Sequence, residues 1–544
     1  MSLRHLIRSG ALVLICVLAR RSVAQSTTSL IPDATVLPHR AVGFRLLTSW
    51  TRYDQLIGVG DAHNIAASLN TDSLGSALVP SFAAAENAIR TASGLSNFRL
   101  TAGNLVAIGD SRIVTAPLIA QYGLTSRLTL GIVVPLVETR TTLFAQLNTR
   151  PGLANVGPNP AFANPGQLGQ NAALVTAFRN AATSLQQKLT ACQATPTTTD
   201  CATLLAQAPA AQSLIQTTSA FAGAIETLYG TDDTHPGQRF VPIAGGPTQL
   251  AIDAQMQKLI TEYQSFLGGT ITGSVVAAGG PGARAAFQDL LKSFGRDSLQ
   301  STDRSSIGDI SVGATYQLAN TFGDTSLAAA SATRYRVAVN GTLRIGTGQP
   351  ANRQRLLDVG TGYGQNGIQV GGAADVQFGR RYSMTATGSY TLQLGTVDVT
   401  RLANPGNALL PLDVSPLNLG GTYTAGNVIA LSIVPRMRVA EYFGVTGQYS
   451  LVHSGADQYT LTGSPPGTTG SASSASLTGL GVSSATAHQV GFGVTYSTIV
   501  GRERGPGRLP FEASFSHLET ISASGGPVAK TFRDQIELRV YFLR

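Results

Sequence analysis

In the stretch Ile368-Gln369-Val370-Gly371-Gly372-Ala373-Ala374-Asp375-Val376-Gln377-Phe378, every second residue from Ile368 to Phe378 is apolar or small, and Gln369, Gly371, Ala373, Asp375 and Gln377 stand between them. A period of two is the mark of a β-strand with one greasy and one wet face. After the corner Gly379-Arg380-Arg381 the rhythm restarts, with Tyr382, Met384, Ala386, Gly388, Tyr390, Leu392 and Leu394 against Ser383, Thr385, Thr387, Ser389, Thr391 and Gln393. The two runs make a hairpin. Each arm has about 12 residues, against 5–6 for an ordinary strand and 9–11 for one that crosses a bilayer at a tilt. The wet face is small and nearly uncharged, which suits lipid outside and a polar lumen inside. A soluble β-sandwich also alternates, but strand length, the number of hairpins and the leader favour a barrel.

Composition agrees with that reading. Charged residues make up 12% of the 544, and glycine supplies 60 of them; an ordinary soluble domain is about a quarter charged. Residues 1–24 carry Arg4, His5 and Arg8, a short apolar run from Ala11 to Ala19, and Ser22-Val23-Ala24. These are the parts of an export signal, with cleavage expected after Ala24. Removing Arg4, Arg8, Arg20 and Arg21, with no acid in the leader, lowers the formal charge from +9 to +5. That charge is mild and scattered, so nucleic acid is not an expected partner. Cys192 and Cys201, nine apart in an exported segment, are expected to form a disulfide.

Outward from the hairpin, further strands are expected at Val42–Tyr53, Arg112–Tyr122, a run through Leu128–Leu136, Asp309–Leu318, Tyr335–Ile345, Ile429–Val439, Val445–Val452, His488–Thr498, Phe511–Leu518 and Gln535–Phe542. With the hairpin they number twelve, an even count as bacterial barrels require. Connections alternate, long after odd strands and short after even ones, as outer loops and inner turns do. The expected architecture is all-β: an antiparallel transmembrane β-barrel of about 12 strands with a helical insert between strands 3 and 4. Residues 25–140 hold the first strands and an outer loop, 141–306 the insert, and 307–544 the remaining strands. Leu174, Phe178, Leu185 and Leu189, then Leu214, Ile215, Phe221, Ile225 and Leu228, then Leu250, Met256, Leu259, Tyr263 and Phe266 supply the helical spacing. The insert could cap the mouth, plug the lumen or stand free. A short helix is also expected at Phe82–Thr91, and the Thr460–Ser476 tract as an exposed mobile loop.

Strand parity puts Arg45, Asp309, Arg336, Arg344, Asp375, Arg436, Arg438, Glu512, Glu537 and Arg539 on the inner face. Charge facing lipid is costly, so its confinement to one parity supports the assignment. These groups either tune an open pore or pair into a closed lumen. Gly346-Thr347-Gly348 and Gly360-Thr361-Gly362-Tyr363-Gly364 lack the strand, spacing and helix of a phosphate loop and read as a flexible outer loop. His453, His488 and His517 lie near strand ends, with Ser514 and Ser516 beside His517. Adjacent strand residues face opposite sides, so Ser516 and His517 cannot work as a pair. No metal spacing appears, and no enzyme, cofactor or metal is expected.

Ile307-Gly308-Asp309-Ile310, Val312-Gly313-Ala314 and Tyr316, with Tyr122-Gly123-Leu124-Thr125-Ser126-Arg127-Leu128, Leu130, Gly131 and Pro135, resemble the recurring strands of a family of outer-membrane transporters labelled with the meta-pathway of phenol degradation. Gly346-Thr347-Gly348, with Asp358 and Gly360 beyond, also fits. The likeness covers about half the chain; the insert and the terminal Arg544 depart from it. Barrels of this kind end on an aromatic residue read by the barrel assembly machinery, and here Phe542 stands two short of the end. The resemblance implies an outer-membrane channel for small, hydrophobic or aromatic molecules, with membrane lipid, solute and assembly machinery as partners. The alternatives are a surface-binding or structural barrel acting through its insert and an outer-membrane hydrolase using His517 or His488.

Overall fold

The computed structural model describes residues 30–542 except 31, 59, 80–81, 151, 198–200, 269–270, 272–284, 288, 290–298, 323–332, 353–354, 356, 400–419, 463–483 and 499–509. The export signal at 1–24, Arg544 and most of the Thr460–Ser476 tract lie outside the described residues. Twelve long strands follow one another around a ring: β1 Val42–Tyr53, β2 Leu105–Gly123, β3 Leu128–Leu147, β4 Ile310–Asn320, β5 Thr333–Ile345, β6 Asn366–Phe378, β7 Tyr382–Leu394, β8 Val428–Arg438, β9 Phe443–Ser454, β10 Ala485–Ser497, β11 Phe511–Ser524 and β12 Phe532–Phe542. Each pairs antiparallel with the next. β12 returns to β1, from Val42 opposite Phe542 to Arg52 opposite Phe532, so the sheet closes. The six residues Thr302–Ile307 precede β4 on the same edge of β3, and Gly308-Asp309 breaks the two apart.

The expected parity holds. Ile368 is 44% exposed and Val370 54%, whereas Gln369 between them is 7% exposed. Leu118, Leu130, Ile132, Val312, Leu431 and Val494 are likewise bare on the outer wall. An apolar belt of this extent has no place in water, and the strands that carry it span a bilayer. At the end of the barrel with short turns, exposed Phe44, Tyr122, Tyr316, Phe378, Tyr382, Phe443 and Phe542 form an aromatic girdle. Outer-membrane barrels carry aromatic girdles of this kind at the edge of the apolar band, with amphipathic Tyr rings such as Tyr122, Tyr316 and Tyr382 reaching the headgroups. No described helix is long and apolar enough to cross a membrane.

β2 and β3 run 19 and 20 residues, longer than expected, because they stay paired past the apolar belt as far as Leu105 opposite Leu147. There the outward face carries Arg112, Asp110, Glu138 and Arg140 together with exposed Val106, Ile108 and Phe144, while inward Leu105, Ala107, Leu143, Ala145 and Leu147 are buried. Charge thus enters the outward face, and the inward face becomes apolar. There it meets helices α1 Phe82–Ser93, α2 Gly166–Ala194, α3 Cys201–Ala206, α4 Ala208–Tyr229 and α5 Pro247–Leu267. Phe178 packs edge-on against Phe221 at 5.2 Å and Phe82 against Phe240 at 5.1 Å. One continuous core joins Leu185, Leu214, Met256 and Tyr263 to Tyr53, Ile113 and Val137 of the barrel's inner wall. The insert and the first long connection therefore fold together as one cap over the long-loop end, on the side of β1–β3. Leu250 leaves the expected stripe and is 57% exposed; Ile252 and Ile260 take its place on the buried face of α5. A disulfide joins Cys192 at the end of α2 to Cys201 at the start of α3.

The glycine-rich 346–365 connection packs inward instead of projecting as a free loop. Asp309 accepts backbone N–H bonds from Gly348, Tyr363 and Gly364 at 2.9, 2.7 and 3.3 Å. Leu357 and Val359 join the cap core, and Thr139 donates to the Val359 carbonyl at 2.8 Å.

Candidate functional site: a charged lumen and its plug

The described part of the segment before β1 lies inside the barrel. Leu30 is buried against Ile119 and Val133, and Ala34 against Ala338 and Ala373. Two wall glycines make room for it. A Cβ on Gly131 would lie 2.7 Å from one Leu30 methyl carbon, and a Cβ on Gly313 2.8 Å from the other. The backbone of the segment is satisfied by the wall: Leu37 N–H donates to Thr129 Oγ1 at 2.8 Å and Ala34 N–H to Asp375 Oδ2 at 3.0 Å. The Leu30 carbonyl accepts from Arg45 Nη1 at 3.4 Å. Pro32 and Pro38 bring no N–H of their own to satisfy.

Asp33 is the hub. Arg539 Nη1 on β12 donates to its Oδ2 at 2.6 Å, and Arg336 on β5 approaches its Oδ1 at 4.0 Å. β12 and β5 lie on well-separated parts of the ring, so one carboxylate ties the plug to both walls. Around it the inward charges link into a chain. Arg45 and Arg539 each reach Glu537 at 2.7 Å, Arg539 and Arg436 approach Glu512 at 3.7 and 3.8 Å, and Arg336 binds Asp375 at 2.6 Å. Asp375 also accepts from Thr385 at 2.7 Å. Eight of these groups thus form one network, and a lone buried charge would be far more costly than this arrangement.

Three of the inward residues stand apart from that network. Arg344 sits nearer the long-loop end, 3.8 Å from Asp309, which occupies the break before β4 rather than a strand. Arg438 ends β8 half-buried, opposite Gly444 of β9, and its backbone N–H donates to the Arg381 carbonyl at 2.7 Å. Asp33, Gly131 and Gly313, which seat the plug, are positions that strand parity alone does not find. An acid in an otherwise uncharged Leu30–Leu37 segment was the available signal.

Among the described residues, the plug does not fill the ring. Twelve strands spaced about 4.8 Å apart and tilted about 40° give a cylinder about 24 Å across between backbones, wider than one extended chain. Inner residues of β1–β3 under the plug and cap, such as Ser49, Thr51, Thr129 and Thr139, are fully buried. Across the lumen Ser383, Thr385, Thr387, Ser432, Thr446 and Gln448 are only half-buried. A hydroxyl-lined groove along β7–β9, flanked by Arg436 and Arg438, remains beside the plug.

The histidines turn away from this groove. His517 Nδ1 lies 2.7 Å from Asp534 Oδ1, His488 Nδ1 2.8 Å from Tyr449 Oη, and His453 Nδ1 2.9 Å from Thr486 Oγ1. All three share the outward parity of exposed Phe515, Val490 and Tyr449, whereas Ser514 and Ser516 share that of buried Glu512. The residues of a serine–histidine pair are therefore on opposite faces of β11. Among the described residues no cluster of His, Cys, Asp or Glu could hold a metal ion.

No family model matches the chain, and no curated protein does. Among solved structures it is similar to an outer membrane channel from Pseudomonas putida F1, at 9% identity over 94% of this chain and 98% of that one, TM-score 0.38. It is also similar to the P. putida toluene transporter TodX, at 10% identity over 92% and 89%, TM-score 0.26. A third likeness is to the transport unit of the Escherichia coli autotransporter AIDA-I, at 7% identity over 98% and 97%, TM-score 0.32. The barrel itself is defined by the strand register of this chain.

Proposed function

We propose that this chain is a bacterial outer-membrane channel that passes small molecules through a lumen gated by its own N-terminal segment. The observation that carries the reading is the half-filled lumen: a plug held mainly by ion pairs and hydrogen bonds, beside a groove of hydroxyls and cations. Such contacts can be exchanged for water, so the plug can shift without unfolding the barrel. Hydrophobic or aromatic compounds are the solute class implied by the resemblance to the phenol meta-pathway transporters, and a shift of the plug that lifts Leu30 would uncover Ile119 and Val133 as an apolar surface for them. Export through the leader at 1–24, insertion by the barrel assembly machinery through β12, and outer-membrane lipid around the belt complete the reading; no enzyme activity is assigned. Swelling of liposomes carrying the protein, with neutral aromatic and sugar solutes, tests it. Solute-dependent swelling supports the channel, and liposomes that stay as tight as protein-free ones count against it.

A further inference from the structure

Arg344, near the long-loop end of β5, is 7% exposed, yet its Nε and Nη1 have no hydrogen-bond acceptor. Its remaining nitrogen, Nη2, donates to Oε1 of Gln393 on β7. That bond fixes the amide, because the flipped form would set N–H against N–H. Gln393 Nε2 is then a further buried donor without an acceptor. The nearest acid, Asp309, stands 3.8 Å from Arg344 Nε, beyond hydrogen-bond reach. Its two oxygens are already engaged by the N–H groups of Gly348, Tyr363 and Gly364. The Tyr363 ring covers the guanidinium at 4.5 Å, and bare Gly367 lets Nη2 approach the backbone, where a Cβ would come within 3.1 Å. Among the described residues, this corner of the lumen holds three nitrogens with hydrogens to give and no atom within hydrogen-bond reach to receive them, although buried polar groups are nearly always paired.

We infer that Arg344 and Gln393 form a binding station for the carboxylate of a small organic acid on the lumen wall between β5 and β7. Two carboxylate oxygens match donors on two neighbouring side chains joined by one hydrogen bond. A monoanion fits better than a phosphate dianion, since the corner supplies one cation and already holds Asp309. The station rests on the small-molecule channel reading, and its test is a binding measurement that needs no flux.

The experiment is calorimetric titration of benzoate into the full chain folded in detergent, with benzyl alcohol as the neutral counterpart. Saturable binding of benzoate, and none of benzyl alcohol, is expected. Arg344→Met lowers benzoate affinity by about tenfold or more, as loss of a charge-assisted bond does. Gln393→Leu, which keeps the Arg344–Asp309 pair, lowers it severalfold, and it alone decides if Arg344→Met does not fold. Benzoate binding no tighter than benzyl alcohol, or an affinity both folded variants retain, overturns the inference. A wild type that passes solutes yet fails to bind benzoate removes the station and leaves the channel; benzoate binding without any flux keeps the station and removes the channel.

Discussion

At the scale of the residue, Asp33 matters most, because it is the atom-level join between plug and wall. Removing one partner of a buried pair costs about 3–5 kcal/mol when the other is stranded. Here Arg539 keeps Glu537 and Arg336 keeps Asp375, so the loss falls on the plug rather than on the barrel. Asp33→Ala is expected to lengthen or multiply channel openings in single-channel recordings while the heat-dependent gel shift stays unchanged; openings indistinguishable from wild type would remove Asp33 from the gate. Gly131→Val should act in the same direction by displacing Leu30, and its recordings provide an independent check. Glu86 in α1 offers a pH test. Burial alone would raise its pKa, but the Leu100 N–H, the Ser76 hydroxyl, Arg99 and Arg90 together hold it below its ordinary value of about 4.5. A depressed carboxylate contributes stability that is full above the unfolded pKa and is lost as pH falls through the folded one. Glu86→Gln should therefore lower the melting temperature of the cap at pH 7 and converge with wild type near pH 3, which thermal scans at the two pH values would read.

At the scale of the element, what was legible followed from periodicity. All twelve strands could be read because lipid outside and a polar lumen inside force a period of two on each. Nine of the ten expected inward charges stand on strands at that parity, from Arg45 on β1 to Arg539 on β12, and Asp309 stands in the break before β4. The outer halves of β2 and β3 were not legible, since past Arg112 and Glu138 apolar residues stand on both faces, Ile108 and Phe144 outward and Leu105, Leu143 and Leu147 inward, and charges interrupt the outward row, so the period of two is lost. The plug was invisible for a different reason. It has no regular period, and its contacts join positions as far apart in sequence as Asp33 and Arg539 or Ala34 and Asp375. The cap could be read as helices but not placed, because its partners are barrel residues. Its shared core makes a prediction: deleting residues 148–301 strips the partners of α1 and exposes Leu105, Ala107 and Leu143. Exposing a buried leucine such as Leu105 or Leu143 costs about 1.5–3 kcal/mol. The truncated chain should insert poorly or aggregate, as seen by membrane fractionation; a deletion that inserts and melts like the full chain would show the cap to be an independent module.

At the scale of the whole molecule, the closed ring, the apolar belt and the girdle describe a body made for a bilayer, with an inner segment packed against its wall. The charges that hold the barrel's inner wall together are the same ones that seat the plug, so the proposed gate and the lumen packing share one network. The measurement that tests this most directly is single-channel conductance in planar bilayers, comparing the full chain with a variant lacking residues 30–37. The account predicts small, intermittent conductance for the full chain and a severalfold larger, steadier one for the variant. Equal conductance in the two, or none in either, would contradict it.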